Sequence, residues 1–327
     1  MRDLTSGVLT TAKPGSMEYE KAVAGKITAS MASAILCPGE PGVYGTPFDT
    51  WMKIKQRIED AAEEEEEEEG FDDEPEDDDM LAEESPRAEL EWGLETENLH
   101  RALLNRHAGL TVAPLDGTYQ DETLPWLAAT PDGMVQAEGM EIGTLELKAP
   151  TKYGVNKWIG GAPRGVIVQA QVQMRVMKAQ WGVVSALIPP KPQWERVYSS
   201  PEWEEWILSG LTAFWENHVM ADVPPPASGS DLKALKAMFP ESTSRRVVFD
   251  MGMLDAVNRF EEAKAAMKTW KAQKAAAQVE IIQAIGTAEA AILPDGSGYT
   301  YKSGVRAYAA KPAREIPVRT LRKVKRL

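Results

Sequence analysis

The sequence predicts an α/β protein, a central mixed β-sheet flanked by helices, and two patterns predict it. Over about residues 17–222 the elements read helix, short strands, helix, strand, helix, the succession expected of a sheet covered on its faces. Within that succession, Thr144-Leu145-Glu146-Leu147-Lys148-Ala149 alternates with a strand's period of two. Leu145 and Leu147 therefore face one side of the strand, and Glu146 and Lys148 the other.

Residues 1–16 read as an N-terminal tail. Residues 20–38 form a short strand or turn leading into a helix capped near Thr28 or Ser30. Gly39 to Pro47 read as a loop, and a helix around Thr50 to Ile58 runs into Glu63–Glu69 and Asp72–Asp79. Like charges so dense repel one another and few apolar groups can be buried, so 59–85 is expected to be a disordered acidic insertion. Leu90 to Asn105 is helical, with Leu90, Leu94, Glu97, Arg101 and Leu104 on one stripe, so that a carboxylate interrupts an apolar face.

Three short strands occupy Trp126 to Ala149, with turns at Pro131-Asp132-Gly133 and near Ala137-Glu138-Gly139. Residues 166–180 return to helix, and Trp181 to Pro189 suits a buried strand. Ser200 caps the next helix with Pro201 at its first position; it carries Trp203, Trp206 and Trp215, which read as core, and stops at Pro224-Pro225-Pro226. A linker spans 223–248. The C-terminal extension, 249–327, begins with one long helix over 249–285, with Leu254, Val257, Phe260, Met267 and Trp270 at helical spacing. Tyr299 to Tyr308 then alternates like a hairpin strand. Lys311 to Leu327 holds seven basic residues and one acid, a tail suited equally to a phosphate backbone or to solvent.

Composition bounds the function. The chain has 327 residues and a formal charge of −14, but residues 59–84 contribute eighteen acids and no base, leaving the remainder at about +4. A mildly basic body is compatible with a polyanionic partner. The single cysteine, Cys37, excludes an internal disulfide framework or a cysteine-built metal cluster and reads as a small hydrophobe. No apolar stretch approaches the roughly 18–20 residues of a membrane span, and Met1-Arg2-Asp3-Leu4 lacks a signal-peptide core, so a cytoplasmic location is expected.

Charge on a half-buried strand is expensive unless something compensates it. Asp132 and Glu146 sharing a hard divalent cation, with Lys148 beside them, would provide that compensation and supply phosphodiester chemistry: the ion lowers the pKa of bound water, and a lysine orients the water or stabilises developing charge. Glu97 can serve a second metal or the leaving oxygen. A Pro-Asp-Gly alone is turn chemistry, and Pro294-Asp295-Gly296 repeats it with no Glu-x-Lys behind it. The company of Glu146, Lys148 and Glu97 distinguishes the first copy. His100, His107 and His218 have no ligand spacing and read as core or surface residues.

These residues resemble the PD-(D/E)xK nuclease signature, Asp132…Glu146-x-Lys148, and more narrowly the lambda exonuclease and YqaJ-like viral recombinase group. Gly25-Lys26-Ile27-Thr28-Ala29-Ser30 is similar to that group's G-x-I-T-A-S element, Trp92-Gly93 through Glu97-Asn98 to its W-G-x-x-x-E-N helix, and Ala170-Gln171-Val172-Gln173 to its A-Q-V-Q helix. The resemblance implies a restriction-endonuclease-like core in which Asp132, Glu146 and the Leu147 carbonyl bind Mg²⁺, with Mn²⁺ as a substitute. It also implies that Lys148 assists the attacking water, Glu97 helps hold metal or water, and Gln171 supports the lysine or the water. Periodicity does not choose Gln171, since Gln169 and Gln173 share a helix face and Gln171 lies nearly opposite.

By the same resemblance Ser30 contacts a terminal 5′ phosphate. Where the group often has an arginine, this chain has Val23, which leaves the 5′ preference open; Lys26 or Arg164 are candidates to substitute, and Ser30 is equally a helix cap. The implied function is a deoxyribonuclease degrading one strand of linear duplex DNA 5′ to 3′, leaving 3′ single strands for phage-type recombination in a bacterial host cell. Its implied partners are double-stranded DNA ends, a single-strand annealing protein and two further copies in a ring-shaped trimer. The alternatives are an endonuclease or structure-specific nuclease on the same core, or a non-catalytic DNA-binding protein.

Overall fold

A computed structural model describes residues 7–68, 84–151, 154–239, 242 and 245–303. The chain divides into two compact units, Met1–Met238 and Phe239–Leu327.

The first unit is mixed α/β. It opens with β1 (Val8–Thr10), α1 (Met17–Ala22), β2 (Ile27–Thr28), α2 (Ala29–Leu36), α3 (Pro47–Glu68) and α4 (Glu84–His107). Five strands follow, β3 (Thr111–Ala113), β4 (Thr118–Gln120), β5 (Leu127–Ala129), β6 (Gly133–Gln136) and β7 (Gly143–Lys148). It closes with α5 (Arg164–Met177), β8 (Trp181–Ala186), β9 (Gln193–Tyr198), α6 (Pro201–Phe214) and α7 (Leu232–Met238).

A five-stranded sheet has the order β3-β6-β7-β8-β9, with β7 and β8 parallel and the other neighbours antiparallel. Parallel neighbours require a crossover, and α5 provides it. Leu145 and Leu147 join Leu104 of α4, Val135, Trp181 and Val183 in one apolar cluster. Ala170 and Met174 of α5 pack with Val184 and Ala186 on the other face. Glu146 and Lys148 are on that α5 face, as the alternation predicts. A smaller sheet, β1-β4-β5-β2, packs with α2, α3, α5 and α6 around a third cluster that contains Ile27, Trp51, Ile54, Leu127, Val172 and Leu211.

The helix starts follow from capping. Ser200 accepts the Trp203 N–H at 3.2 Å with Pro201 at the first position of α6. Thr28 occupies the N-cap of α2, with no side-chain cap bond. Trp203 and Trp215 pack against the core, Trp215 stacking on Trp126 at 5.5 Å and 12°, whereas Trp206 is 36% exposed.

Several elements differ from expectation. β1, β3 and β4 span three residues each, too short to show any periodicity, and β9 is a further strand beyond those expected. The first acidic residues are helical rather than disordered, since α3 continues to Glu68. Phe48, Trp51 and Ile54 anchor its first turns in the core, and extending a nucleated helix through good helix formers costs little, even with carboxylates opposing the dipole at its end. Residues 69–83 of the tract lie outside the described residues. The segment read as a linker carries α7, preceded by a short turn in which Asp231 accepts the Ser228 N–H at 2.6 Å and bonds the Thr46 hydroxyl.

Glycine at 143 is a packing requirement. A Cβ there would stand 2.7 Å from the Trp181 carbonyl oxygen, a backbone atom that cannot swing aside. Gly143→Ala is expected to destabilise the first unit by ~1–3 kcal/mol, read as a lower urea midpoint with an unchanged m-value.

The second unit contains α8 (Met251–Ile285), whose Asp250 N-cap accepts the Met253 N–H at 2.9 Å. A hairpin of β10 (Ala290–Ile292) and β11 (Gly298–Thr300) follows. Its turn is Pro294-Asp295-Gly296, with Gly296 at φ +83° and Asp295 Oδ1 accepting the Ser297 N–H at 3.0 Å. The strand expected over 299–308 is described only to Thr300; residues beyond 303, including the basic tail, lie outside the described residues. Among the described residues no helix is long and apolar enough to cross a membrane.

Candidate active site

The other Pro-Asp-Gly is built differently. Gly133 begins β6, and a Cβ there would stand 2.5 Å from the Ala113 carbonyl oxygen, so the glycine admits the close approach of β3. Asp132 donates its N–H to the Leu145 carbonyl at 3.0 Å, and its Oδ2 accepts the Leu147 N–H at 2.6 Å. The carboxylate is thereby latched across the hairpin onto β7, one residue from Glu146 and one from Lys148.

Glu146 is 1% exposed. Its Oε1 pairs with the Lys148 ammonium and its Oε2 accepts the Gln173 Nε2–H at 2.6 Å. Lys148 also donates to Gln169 Oε1 at 3.1 Å. A buried carboxylate is tolerable only with such partners, and the alternation of β7 aims both charged side chains at the α5 face that supplies them. The Oε1 of Gln173 is buried without a hydrogen-bond partner, an acceptor left over within the site.

The charges are unbalanced. Burial and then the Glu146 charge push the Asp132 carboxyl well above the usual carboxylate range, against the opposing pull of Lys148 and the Leu147 N–H; Glu97 adds to the rise. Burial works to lower the Lys148 pKa, but Glu146, Asp132 and Tyr44 outweigh it and hold the ammonium above its usual value. Two adjacent acids with one lysine leave room for positive charge.

Glu97 reaches this cluster from α4. It pairs with Arg101 at 3.1 Å, and Arg101 donates to the Asp132 carbonyl at 2.9 Å. One turn further on, His100 is 1% exposed with Nε2 2.8 Å from Ser185 Oγ of β8, a core histidine as expected.

Gln171 is not brought to Lys148. Its Nε2 donates to the Tyr198 carbonyl at 2.8 Å on β9. Successive helical residues are about 100° apart, so Gln169 and Gln173 share the face turned to the site while Gln171 is rotated roughly 200° from Gln169. The motif names Gln171, and periodicity sets Gln169 and Gln173 on the opposite face without choosing between the two; Gln169 and Gln173 make the contacts.

The expected phosphate ligands have other attachments. Lys26 donates to Gln120 Oε1 and the Pro125 carbonyl, both at 2.9 Å, and burial lowers its pKa. Arg164 donates to Glu40 at 3.3 Å with its guanidinium 4.8 Å from the Trp206 ring centroid. Ser30 is exposed, with its hydroxyl 3.0 Å from that of Thr28. Val23 is fully buried, so no arginine-like group stands there.

A divalent cation fits the donor set. Among the described residues no group of three His, Cys, Asp or Glu gathers as a metal cage. Two carboxylates suffice for Mg²⁺, which keeps several waters and takes the rest of its shell from substrate phosphate. Burial and then the Glu146 charge raise the Asp132 pKa, and a bound cation would oppose both by favouring the ionised carboxylate.

Residues 18–180 match the family model of the YqaJ-like viral recombinase domain. No curated protein matches the chain. Among solved structures, the alkaline exonuclease LHK-Exo from Laribacter hongkongensis, also crystallised in complex with dAMP, is similar at 19% identity over 68% of this chain and 100% of its own, with a TM-score of 0.44. A phage-related exonuclease from Haemophilus somnus 129PT is similar at 11% identity over 60% of this chain and 96% of its own, with a TM-score of 0.36.

Proposed function

Since the chain carries a YqaJ-like viral recombinase domain over residues 18–180, we propose that it is a metal-dependent deoxyribonuclease that degrades one strand of linear duplex DNA from its end. The observation that carries this reading is the buried Glu146, held by Lys148 and Gln173 beside the latched Asp132. Asp132, Glu146 and the Leu147 carbonyl would hold Mg²⁺, or Mn²⁺ in its place. The ion, when bound, supplies an acidified water and neutralises charge developing on the phosphate.

The chain's own residues do the rest. Lys148, oriented by Gln169, directs its ammonium at the attacking water or the developing negative charge. Gln173 fixes the Glu146 rotamer, and Glu97 stands by the cluster to hold metal or water. Phage-type recombination is the setting, with 5′ to 3′ polarity, DNA ends as substrate, a single-strand annealing protein as partner and a trimeric ring as the assembly. Ser30 remains the candidate contact for a terminal phosphate.

Digestion of end-labelled linear duplex beside closed circular DNA, with Mg²⁺ or with chelator, tests the reading. Loss of the linear form alone supports the exonuclease, and the labelled end gives polarity. Nicking of circles moves the assignment to an endonuclease. Absence of metal-dependent loss of either form, or full activity in Lys148→Ala, removes it.

The two glutamines separate motif from geometry. Gln173→Ala is expected to lower kcat by ~10- to 100-fold, as loss of a group orienting a metal-binding carboxylate does, while Gln171→Ala stays near the unaltered rate. The reverse order in a single-turnover assay would restore Gln171 to the site.

A further inference from the structure

At the rim of this site the loop between α2 and α3 presents Tyr44, and the way the loop is held gives that residue a purpose. Gly42, at φ +86°, lies so close to Pro163 that a Cβ would stand 2.9 Å from the proline Cβ. Val43 occupies the space left by the missing side chain of Gly165, where a Cβ would meet Val43 Cγ2 at 2.7 Å. Beyond Tyr44, the Thr46 hydroxyl bonds Asp231 and accepts the Asp49 N–H at 3.0 Å. The loop is thus pinned to the start of α5 on one side and to α3 and Asp231 on the other.

Between these pins Tyr44 is 76% exposed. The ring is thus open to a ligand from solvent while the backbone on either side of it is fixed. Lys157 joins it from the short helical turn Val155–Trp158 that follows β7, a turn anchored by the buried Trp158. The Lys157 Nζ lies 4.8 Å from the Tyr44 ring centroid and 3.5 Å from its hydroxyl oxygen. The loop packs on Pro163 and Gly165 at the start of α5, the helix whose Gln169 bonds Lys148, and Lys157 lies on the turn that follows the Lys148 end of β7, so both partners extend from the elements that build the site. A ring beside an ammonium at a nuclease site matches the two faces of a nucleotide, one a flat π-surface and the other an anion.

We propose that Tyr44 and Lys157 form a nucleotide clamp at the entrance to the site, Lys157 taking a phosphate oxygen of the strand being cut and Tyr44 stacking on a base freed from the duplex end. The clamp rests on the nuclease reading and adds to it how a terminal base is separated from its partner. Stacking is indifferent to base identity, so the clamp takes any sequence.

The test uses the full-length chain with Lys148→Ala, so that DNA binds without being cut, and duplexes carrying 2-aminopurine at the terminal position of either strand. The expected result is quenching of the probe on binding, kept in Tyr44→Phe and lost in Tyr44→Ala. Lys157→Gln should reduce the slope of log binding constant against log salt by about 0.7–0.9, one phosphate contact. Digestion of the same duplex by the unaltered chain examines the nuclease reading separately. Digestion together with undiminished quenching in Tyr44→Ala and an unchanged salt slope in Lys157→Gln overturns the clamp alone. Absence of digestion overturns the reading beneath it.

Discussion

Asp132→Asn is expected to lower Mg²⁺-dependent DNA cleavage by about 10³-fold while leaving the metal-free protein as stable as before, or more so. The second half follows from the sign of the Asp132 shift. Burial and the Glu146 charge raise its folded pKa above the ordinary carboxylate value. Between those two values the folded state holds a proton that the unfolded chain has released, so stability falls as pH rises through the window. Above that window the ionised carboxylate is a liability, and asparagine removes the charge while its carbonyl oxygen can still accept the Leu147 N–H. The same repulsion predicts that Mg²⁺ stabilises the unaltered protein, by about 2.7 kcal/mol at a hundred times its Kd, and that Asp132→Asn forfeits most of this. Urea unfolding with and without Mg²⁺ measures both. Equal stabilisation by Mg²⁺ in the two proteins would take Asp132 out of the metal site.

Acid is expected to destabilise the first unit through one histidine. Burial, reinforced by the Arg101 charge, lowers the His100 pKa from 6.5 to about 4. The unfolded chain therefore takes up a proton that the folded chain refuses as pH falls through that interval. Stability is full above about pH 6.5 and declines toward pH 4, by about 3 kcal/mol for a shift of this size. His100→Gln keeps a polar partner for Ser185 without a titrating ring. It should flatten that part of the curve of unfolding free energy against pH, and an unchanged slope in the variant would assign the acid sensitivity elsewhere.

Much of this was legible in the sequence, for reasons particular to each segment. β7 announced itself because two leucines and two charged residues alternate, and α4 and α5 because their apolar stripes are long enough to show a helical period. That Glu146 and Lys148 share a face followed from the same alternation. Three-residue strands such as β3 and β4 carry no period, and their pairing is decided by partners, β6 and β5, that the strands themselves do not name. The attachments of Lys26 and Arg164 were equally hidden, since a motif supplies a residue type but not the carbonyl or carboxylate that captures it. The α5 glutamines show the opposite case. There the helical repeat set Gln169 and Gln173 on one face and Gln171 nearly opposite without choosing between them, and the contacts to Lys148 and Glu146 fall to the first pair.

The alternation of β7 also bears on how the sheet finds its pairing. Side-chain direction has a period of two, so a slip of one residue between β7 and β8 would exchange the two faces of the strand. Leu145 and Leu147 would then turn toward Gln169 and Gln173, and Glu146 and Lys148 would be driven among Leu104, Trp181 and Val183, where no glutamine waits. An uncompensated carboxylate in such a place is penalised far more heavily than a misplaced leucine. The residues proposed for hydrolysis thus double as an alignment key, since a misthreaded sheet is rejected by their charges.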